Sequence, residues 1–164
     1  MTLSGWGPEA TNAPFANLFT LNGIQTLAVA YVIMRGGDAI PDTQPYLEFY
    51  DRSSGEWEQK VAAPTQADFR GCTFSVTQLN SGVPGEAWFL AWGQPFGSSH
   101  GAKHVRLYAF DGRGVRTIWQ RDSLDGGKIT TTPTTVTIDY LDQRDPSIER
   151  HEIFQVAPEG LLPQ

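Results

Sequence analysis

Three histidines are the residues whose type and spacing come closest to metal or acid–base chemistry. His100 and His104 lie four positions apart, a spacing that binds zinc when a helix presents both rings on one side. Here they flank a glycine-containing loop, no helix is indicated, and no third ligand lies nearby in the sequence. His151 stands beside Arg150 and Glu152, as expected of a solvated strand end. We therefore predict no metal and no cofactor.

Acidic residues offer a second candidate chemistry, because Asp139, Asp142 and Asp145 are spaced three apart. Asp139 falls inside an apolar strand, where a carboxylate needs a partner or a raised pKa. We expect an arginine partner rather than a catalytic acid, and three arginines could serve: Arg121, Arg144 and Arg150. Glycoside hydrolysis needs two carboxylates at a fixed separation, and the sequence alone does not place such a pair.

Tryptophans are candidates for ligand binding. Trp57 and Trp119 fall on predicted outer strands among polar neighbours, where an exposed indole could stack on a sugar ring or anchor a protein interface. Trp88 and Trp92 fall on an apolar strand and are expected in the core. The candidate binding residues are therefore Trp57 and Trp119, together with His100 and His104 from the long loop.

Known catalytic motifs are missing from the sequence, which has no nucleophile elbow, P-loop or dinucleotide fingerprint.

The sequence has one cysteine, Cys72, which excludes an intrachain disulfide and is expected to be a small buried residue. A net charge of −6 argues against a general nucleic-acid binder, and no stretch approaches the ~20 apolar residues of a membrane span. Residues 1–10 do not resemble a signal peptide, so an exported protein would have lost its signal from this chain.

The elements that must position these residues are strands. The chain has 164 residues with 17 glycines and 11 prolines spread along it, which favours one all-β domain, residues 1–164, of many short strands. Asn22-Gly23 between two apolar runs predicts a hairpin with a type I′ turn. The apolar run at 27–34 predicts a strand buried on both faces.

A strand–turn–strand–loop–strand pattern returns with a period near 60, since residues 47–51 align with residues 107–111. The predicted repeats cover about 15–62, 71–122 and 127–164, and the third is expected to lack its fourth strand. We predict antiparallel four-stranded meanders that resemble propeller blades, about two and a half in number, with a β-sandwich as the alternative.

The repeats resemble those of β-propellers in general. The carboxyl-terminal half is similar to uncharacterised exported bacterial proteins, notably acidobacterial ones, whose activity is unassigned. Four segments carry that likeness: 105–112, 117–122, 127–130 and 151–161. The segment Asp111-Gly-Arg-Gly114 has too few acids for the calcium loop of integrin-type blades, so calcium is not implied.

Two and a half blades cannot close a ring, which typically needs four to eight. Either chains pool their blades, or the sequence is a piece of a longer protein, or the strands form a sandwich. The sequence favours a non-catalytic binding or assembly module, with a homo-oligomer and a carbohydrate or protein ligand as the partners considered. The alternative is a carbohydrate-active enzyme or hydrolase that uses loop acids and histidines. The sequence does not indicate a cellular compartment.

Overall fold

The computed structural model describes residues 15–35, 42–97 and 101–164. Over these residues the chain forms eleven strands and one five-residue helix, and the predicted all-β class is confirmed. The elements are β1 (Phe15–Leu21), β2 (Ile24–Arg35), β3 (Asp42–Asp51), β4 (Glu58–Ala62), α1 (Thr65–Phe69), β5 (Ser75–Leu79), β6 (Ala87–Gly93), β7 (Lys103–Phe110), β8 (Val115–Thr131), β9 (Thr135–Leu141), β10 (Glu149–Ala157) and β11 (Gly160–Pro163). In this part of the chain, no helix combines the length and apolar character that crossing a membrane requires.

The first four strands form an antiparallel sheet in the order β1-β2-β3-β4. Its first hairpin closes at the pair Leu21 and Ile24, and both turn residues have positive φ, 51° at Asn22 and 78° at Gly23. These are the angles of a type I′ turn, whose twist matches that of the flanking strands. The hairpin predicted from Asn22-Gly23 is therefore confirmed.

The remaining seven strands form a second antiparallel sheet in sequence order from β5 to β11. Its longest strand, β8, pairs with β7 up to Leu124 and with β9 from Asp125 onward. The register shifts between Asp125 and Lys128, next to Gly126 with a φ of 59°. Such an irregularity bends a strand, so β8 belongs to two successive four-stranded regions of the same sheet.

These regions pack as three layers around two cores. Alternate residues of β6 divide between the cores: Phe89 lies in the first with Phe49 of β3, and Leu90 lies in the second with Ile138 of β9. The region β5–β8 is thus the middle layer, covered on one side by the four-stranded sheet and on the other by β9–β11. Burial on both faces explains why β6 is apolar along its whole length.

Two predicted details are wrong. The run at 27–34 was expected to be buried on both faces, but only alternate residues such as Ala28 and Ala30 are buried, and Ile33 is 37% exposed. The reason is that β2 belongs to an outer layer, which has only one covered face. The third predicted repeat was expected to lack a fourth strand, but β11 pairs with β10 over 160–163.

Candidate functional site

The two tryptophans singled out from the sequence lie apart, Trp57 next to the four-stranded sheet and Trp119 in the seven-stranded sheet. Trp57 stands just before β4 and is 41% exposed, whereas Trp119 of β8 is partly buried in the second core. The indole of Trp119 meets Phe154 edge to face, with ring centroids 5.3 Å apart. Trp119 therefore serves packing, and the two residues do not form one platform for a ligand.

His100 lies outside the described residues, and His104 belongs to β7 rather than to a loop. The His104 ring joins a charged cluster, which we define as His104, Arg106, Tyr108, Asp68 and Asp122. Asp122 Oδ1 lies 2.9 Å from His104 Nδ1 and accepts a hydrogen bond from Arg106 Nη1 at 2.7 Å. Arg106 Nε lies 3.4 Å from Asp68 Oδ1, and the Tyr108 hydroxyl donates to Asp68 Oδ2 at 2.5 Å.

Burial and pairing set the electrostatics of the charged cluster. Desolvation alone would raise the pKa of Asp122, but hydrogen bonds from Arg106 and His104 outweigh it and hold that pKa below its ordinary value. Desolvation would lower the pKa of Arg106, yet Asp122 and Asp68 raise it. Burial, then the bond to Asp68, raises the pKa of Tyr108. Every charged group of the cluster thus has a partner, and the Asp122 side chain stays 43% exposed while that of Arg106 is 11% exposed.

The charged cluster contains one element of catalytic machinery. An aspartate bound to Nδ1 fixes a histidine ring and leaves Nε2 available as a base, as in hydrolase triads. Among the described residues, however, no hydroxyl or thiol is hydrogen-bonded to His104, and no group of three or more His, Cys, Asp or Glu could hold a metal ion. Over that part of the chain, the geometry is that of a structural link between α1, β7 and β8.

Asp139 has a different partner from the one predicted. Its side chain is 44% exposed, and its Oδ1 lies 2.5 Å from Nδ1 of His151, the residue opposite on β10. An arginine partner was expected because Asp139 was thought to be buried. That prediction is wrong because β9 also lies in an outer layer, so Ile138 faces the core and Asp139 faces outward.

The three arginines considered for Asp139 line an open pocket of about 520 Å³ instead. Arg121 Nη2 lies 3.0 Å from Glu152 Oε2, and Arg150 Nη2 lies 2.6 Å from Asp142 Oδ2. Arg144 lines the same pocket, and so do Asp122, Asp142 and Asp145. Because acids and arginines are equal in number there, the pocket does not select an anion or a cation.

A third feature is the side of the four-stranded sheet that points away from the first core, which we call the outer face. Strand register places ten large side chains there: Leu18, Gln25, Leu27, Val29, Tyr31, Ile33, Gln44, Tyr46, Glu48 and Tyr50. Leu18 is 57% exposed and Ile33 is 37% exposed, while the tyrosines are partly buried by one another. The rings of Tyr31 and Tyr46 stack with centroids 4.9 Å apart and planes at 11°.

Glu48 is the only charged residue on the outer face between 16 and 33 on β1–β2 and between 44 and 50 on β3. Its carboxylate accepts a 2.7 Å hydrogen bond from the Tyr50 hydroxyl. That bond, followed by burial, raises the pKa of Tyr50 to about 12, and burial with the nearby Glu48 charge raises the pKa of Tyr31. The one charge on this surface is therefore already engaged by a neighbour.

The opposite end of the molecule presents a different surface. The outward side of β8–β10 carries Lys128, Thr137, Asp139 and His151, and its exposed apolar residue Ile153 lies near Leu162 of β11. This face therefore meets water as a polar layer, whereas the outer face of the four-stranded sheet is mostly apolar. Monomeric proteins seldom expose large contiguous apolar patches, so the outer face is the stronger functional candidate.

Sequence reasoning missed the outer face because it assigned the apolar run at 27–34 to the interior. The signal was present in β3, where Tyr46, Glu48 and Tyr50 alternate with the buried Leu47 and Phe49. An alternating strand has one solvent-facing side, and a neighbouring strand in the same sheet shares that side. Comparison with protein-family models, with curated proteins and with solved structures finds no match to this chain.

Proposed function

We propose that the chain is a non-catalytic assembly module that associates with a second copy of itself through the outer face. The observation that carries this proposal is the apolar and aromatic character of the outer face, set against the polar outward side of β8–β10. The free energy of the system falls when a surface of Leu, Val, Ile and Tyr is removed from water by another apolar surface.

A second copy fits the outer face because the surface is compatible with itself. A two-fold axis brings the same patch onto itself, and two-fold dimers are the commonest homo-oligomers. Glu48 is the one charge to be covered, and its bond to Tyr50 lowers the cost of removing it from water. The first core of this molecule already shows the same solution, with sheet faces that pack through aliphatic and aromatic side chains.

The size of the outer face sets the expected affinity. Four strands about 4.8 Å apart, with roughly eight residues each at about 3.3 Å, cover a footprint of approximately 500 Å². Specific interfaces bury about 800 Å² on each partner, and smaller ones belong to weak or transient complexes. We therefore expect reversible association in the micromolar range rather than an obligate oligomer.

The test is the mass in solution by light scattering, measured from low to high micromolar concentration. We expect a mass that rises above the 18.1 kDa of one chain as concentration increases. Ile33→Lys places a charge on the outer face and should lower the average mass at each concentration. Ile153→Lys is the matched control, because Ile153 is 39% exposed, close to the 37% of Ile33, but lies on the polar side. A single-chain mass at every concentration would contradict the proposal.

A carbohydrate is the second candidate partner for the same surface. Tyr31, Tyr46 and Tyr50 place three aromatic rings beside the Glu48 carboxylate, and such rings contact sugars while a carboxylate accepts their hydroxyls. Affinity electrophoresis in gels that contain soluble β-glucan or xylan would detect this binding as retarded migration. Tyr46→Ala should abolish the retardation, and unchanged migration in both polysaccharides would remove this candidate.

A further inference from the structure

Strand β1 is an edge of the four-stranded sheet and differs from the other sheet edges. Edge strands in native proteins are commonly blunted by charge, proline, irregular register or short length. Strand β4 carries Glu58 and Lys60 beside a register shift, β11 has four residues and includes Pro163, and β5 has five residues. Strand β1 has seven residues, Phe15–Leu21, with neither a charge nor a proline.

The hairpin register shows which backbone groups of β1 point outward. Leu21 and Ile24 close the two-residue turn, so they form a hydrogen-bonded pair, and hydrogen-bonded and non-bonded pairs then alternate along β1 and β2. Consistent with this pattern, the Gln25 carbonyl accepts from Arg52 N at 3.1 Å on the β3 side. Thr20, opposite Gln25, therefore directs its N–H and C=O away from β2.

By the same alternation, Ala16 and Leu18 also direct their backbone groups to the open edge. Within residues 15–35, 42–97 and 101–164, no backbone hydrogen bond outside the β1–β2 ladder reaches these three residues. The edge thus presents three N–H and three C=O groups in a row, with the 57% exposed Leu18 side chain at its centre.

We propose that β1 pairs in antiparallel fashion with β1 of a second copy, about a two-fold axis at Leu18. Leu18 then opposes Leu18 of the other copy, and Ala16 opposes Thr20 on both sides of the axis. All three outward-facing residues meet their counterparts as hydrogen-bonded pairs, which satisfies all six edge groups of each chain. The two four-stranded sheets become one eight-stranded sheet.

The side chains of β1 are compatible with this pairing. Like charges opposite each other destabilise strand pairs, and β1 has no charge to oppose. The axis at Leu18 places two exposed leucines side by side on the outer face, where each covers part of the other. The outward-facing backbone groups of β1 are symmetric about Leu18, so two copies of β1 can pair about this residue with all of these groups opposite one another.

This inference goes beyond the proposed function, because it uses the edge of the sheet and not its outer face. The axis of edge pairing is perpendicular to the sheet, whereas an axis of face-to-face packing lies parallel to it. Both contacts can therefore occur in one closed tetramer with two-fold axes at right angles, a common symmetry of homo-oligomers.

The first test uses Leu18→Pro in the full chain that also carries Ile33→Lys. Ile33→Lys alone should leave a species of twice the 18.1 kDa chain mass, held by the β1 edges. Leu18→Pro removes an outward N–H without breaking the β1–β2 ladder, so the double variant should have the mass of one chain while its circular dichroism is unchanged. The control Leu18→Ala shortens the side chain but keeps the N–H, and should retain the dimer. A two-chain mass that survives Leu18→Pro would overturn the inference.

The second test is hydrogen exchange of the wild-type chain at low and high concentration. The amides of Ala16, Leu18 and Thr20 should become protected as concentration rises, whereas those of Asn17 and Phe19 should be protected throughout. Rapid exchange of the first three amides at every concentration would also overturn edge pairing. If Ile33→Lys leaves the wild-type mass unchanged while these amides gain protection, the outer-face proposal fails and edge pairing stands.

Discussion

Phe89 and Leu90 are neighbours on β6 that face different cores, so truncating each in turn tests whether the three layers unfold together. Both side chains are fully buried. The Phe89 ring meets Phe15, Phe19 and Phe49, with centroid distances of 6.3, 5.8 and 5.1 Å. Leu90 packs in the second core. We expect Phe89→Ala and Leu90→Ala to destabilise the whole molecule and not one core alone.

The magnitude follows from what each side chain contacts. Phe→Ala substitutions in cores cost about 3–5 kcal/mol and Leu→Ala about 2–5 kcal/mol in the free energy of unfolding. Aromatic pairs add roughly 0.5–1.5 kcal/mol each beyond buried area, and Phe89 takes part in three such pairs. We therefore expect Phe89→Ala to cost about 5 kcal/mol, comparable to the total stability of many small domains. Phe89→Leu, at roughly 1–2 kcal/mol, provides a milder variant that should still fold.

The assay is urea unfolding followed by two signals. Trp88, Trp92 and Trp119 lie in the second core, so the fluorescence of a chain in which Trp6 and Trp57 are replaced by Phe reports on that core. Far-ultraviolet circular dichroism reports on strands in all layers. Because β6 contributes to both cores, we expect Phe89→Leu to lower both midpoints equally, although none of the tryptophans in the described part of the chain lies in the first core. Leu90→Ala should do the same.

A shift confined to circular dichroism would refute this reasoning. If Phe89→Leu lowers the dichroism midpoint and leaves the tryptophan midpoint unchanged, the four-stranded sheet unfolds separately from the other two layers. Two different midpoints in Phe89→Leu would show that this variant does not unfold in a single two-state transition, which requires the same midpoint by both probes.

Three further outcomes are expected. Gly93→Ala should strongly lower the melting temperature, because its new Cβ would stand 2.1 Å from the Thr73 carbonyl oxygen. The control Gly114→Ala places its Cβ where no atom lies within 4 Å, and should leave the melting temperature nearly unchanged. Asp111 accepts hydrogen bonds from the turn amides after it, and these bonds lower its pKa. Its contribution to the free energy of unfolding is therefore present above its unfolded pKa and is lost as pH falls through its folded pKa. Asp111→Ala should lower the urea midpoint at pH 7, and the difference in midpoint from wild type should narrow towards pH 2. Burial raises the pKa of Cys72 to about 11, so a thiol reagent at pH 8 should label it only in denaturant, and rapid labelling of the native chain would contradict its buried position.

Local turn chemistry and alternation predicted much of the fold. Asn22-Gly23 specified its hairpin because few dipeptides tolerate two positive φ angles, and the structure has those angles. The apolar run at 86–92, which carries Trp88 and Trp92, predicts a strand, and β6 lies there; its burial on both faces follows from its place in the middle layer.

The features that the sequence did not predict depend on whether a strand lies in the middle layer or in an outer layer. An apolar strand such as 27–34 looks the same whether its second face is covered or open, because the covering layer comes from distant residues. The partner of Asp139 was missed for the same reason, since the outward direction of its side chain depends on which face of β9 meets the core. The candidate residues taken from the sequence, such as His104 and Trp57, are not among those that define the outer face, which arises only from the register of three strands.

The length of β8 makes the two connections between neighbouring layers different, and we call each connection a joint. The first and second layers are connected in the chain by the segment between β4 and β5, whose backbone is largely outside any sheet ladder. The second and third layers share one continuous strand, which is held by β7 over one part and by β9 over the other. The segment after β4 is anchored to the first core, because Phe69 and Phe74 are buried there and its backbone donates to Leu47 and Thr43 of β3. Separating the last two layers instead strains the hydrogen bonds of β8 itself. The first joint is therefore held by packing in the first core and by hydrogen bonds of a connecting segment, whereas the second joint is held by one strand that runs through both layers.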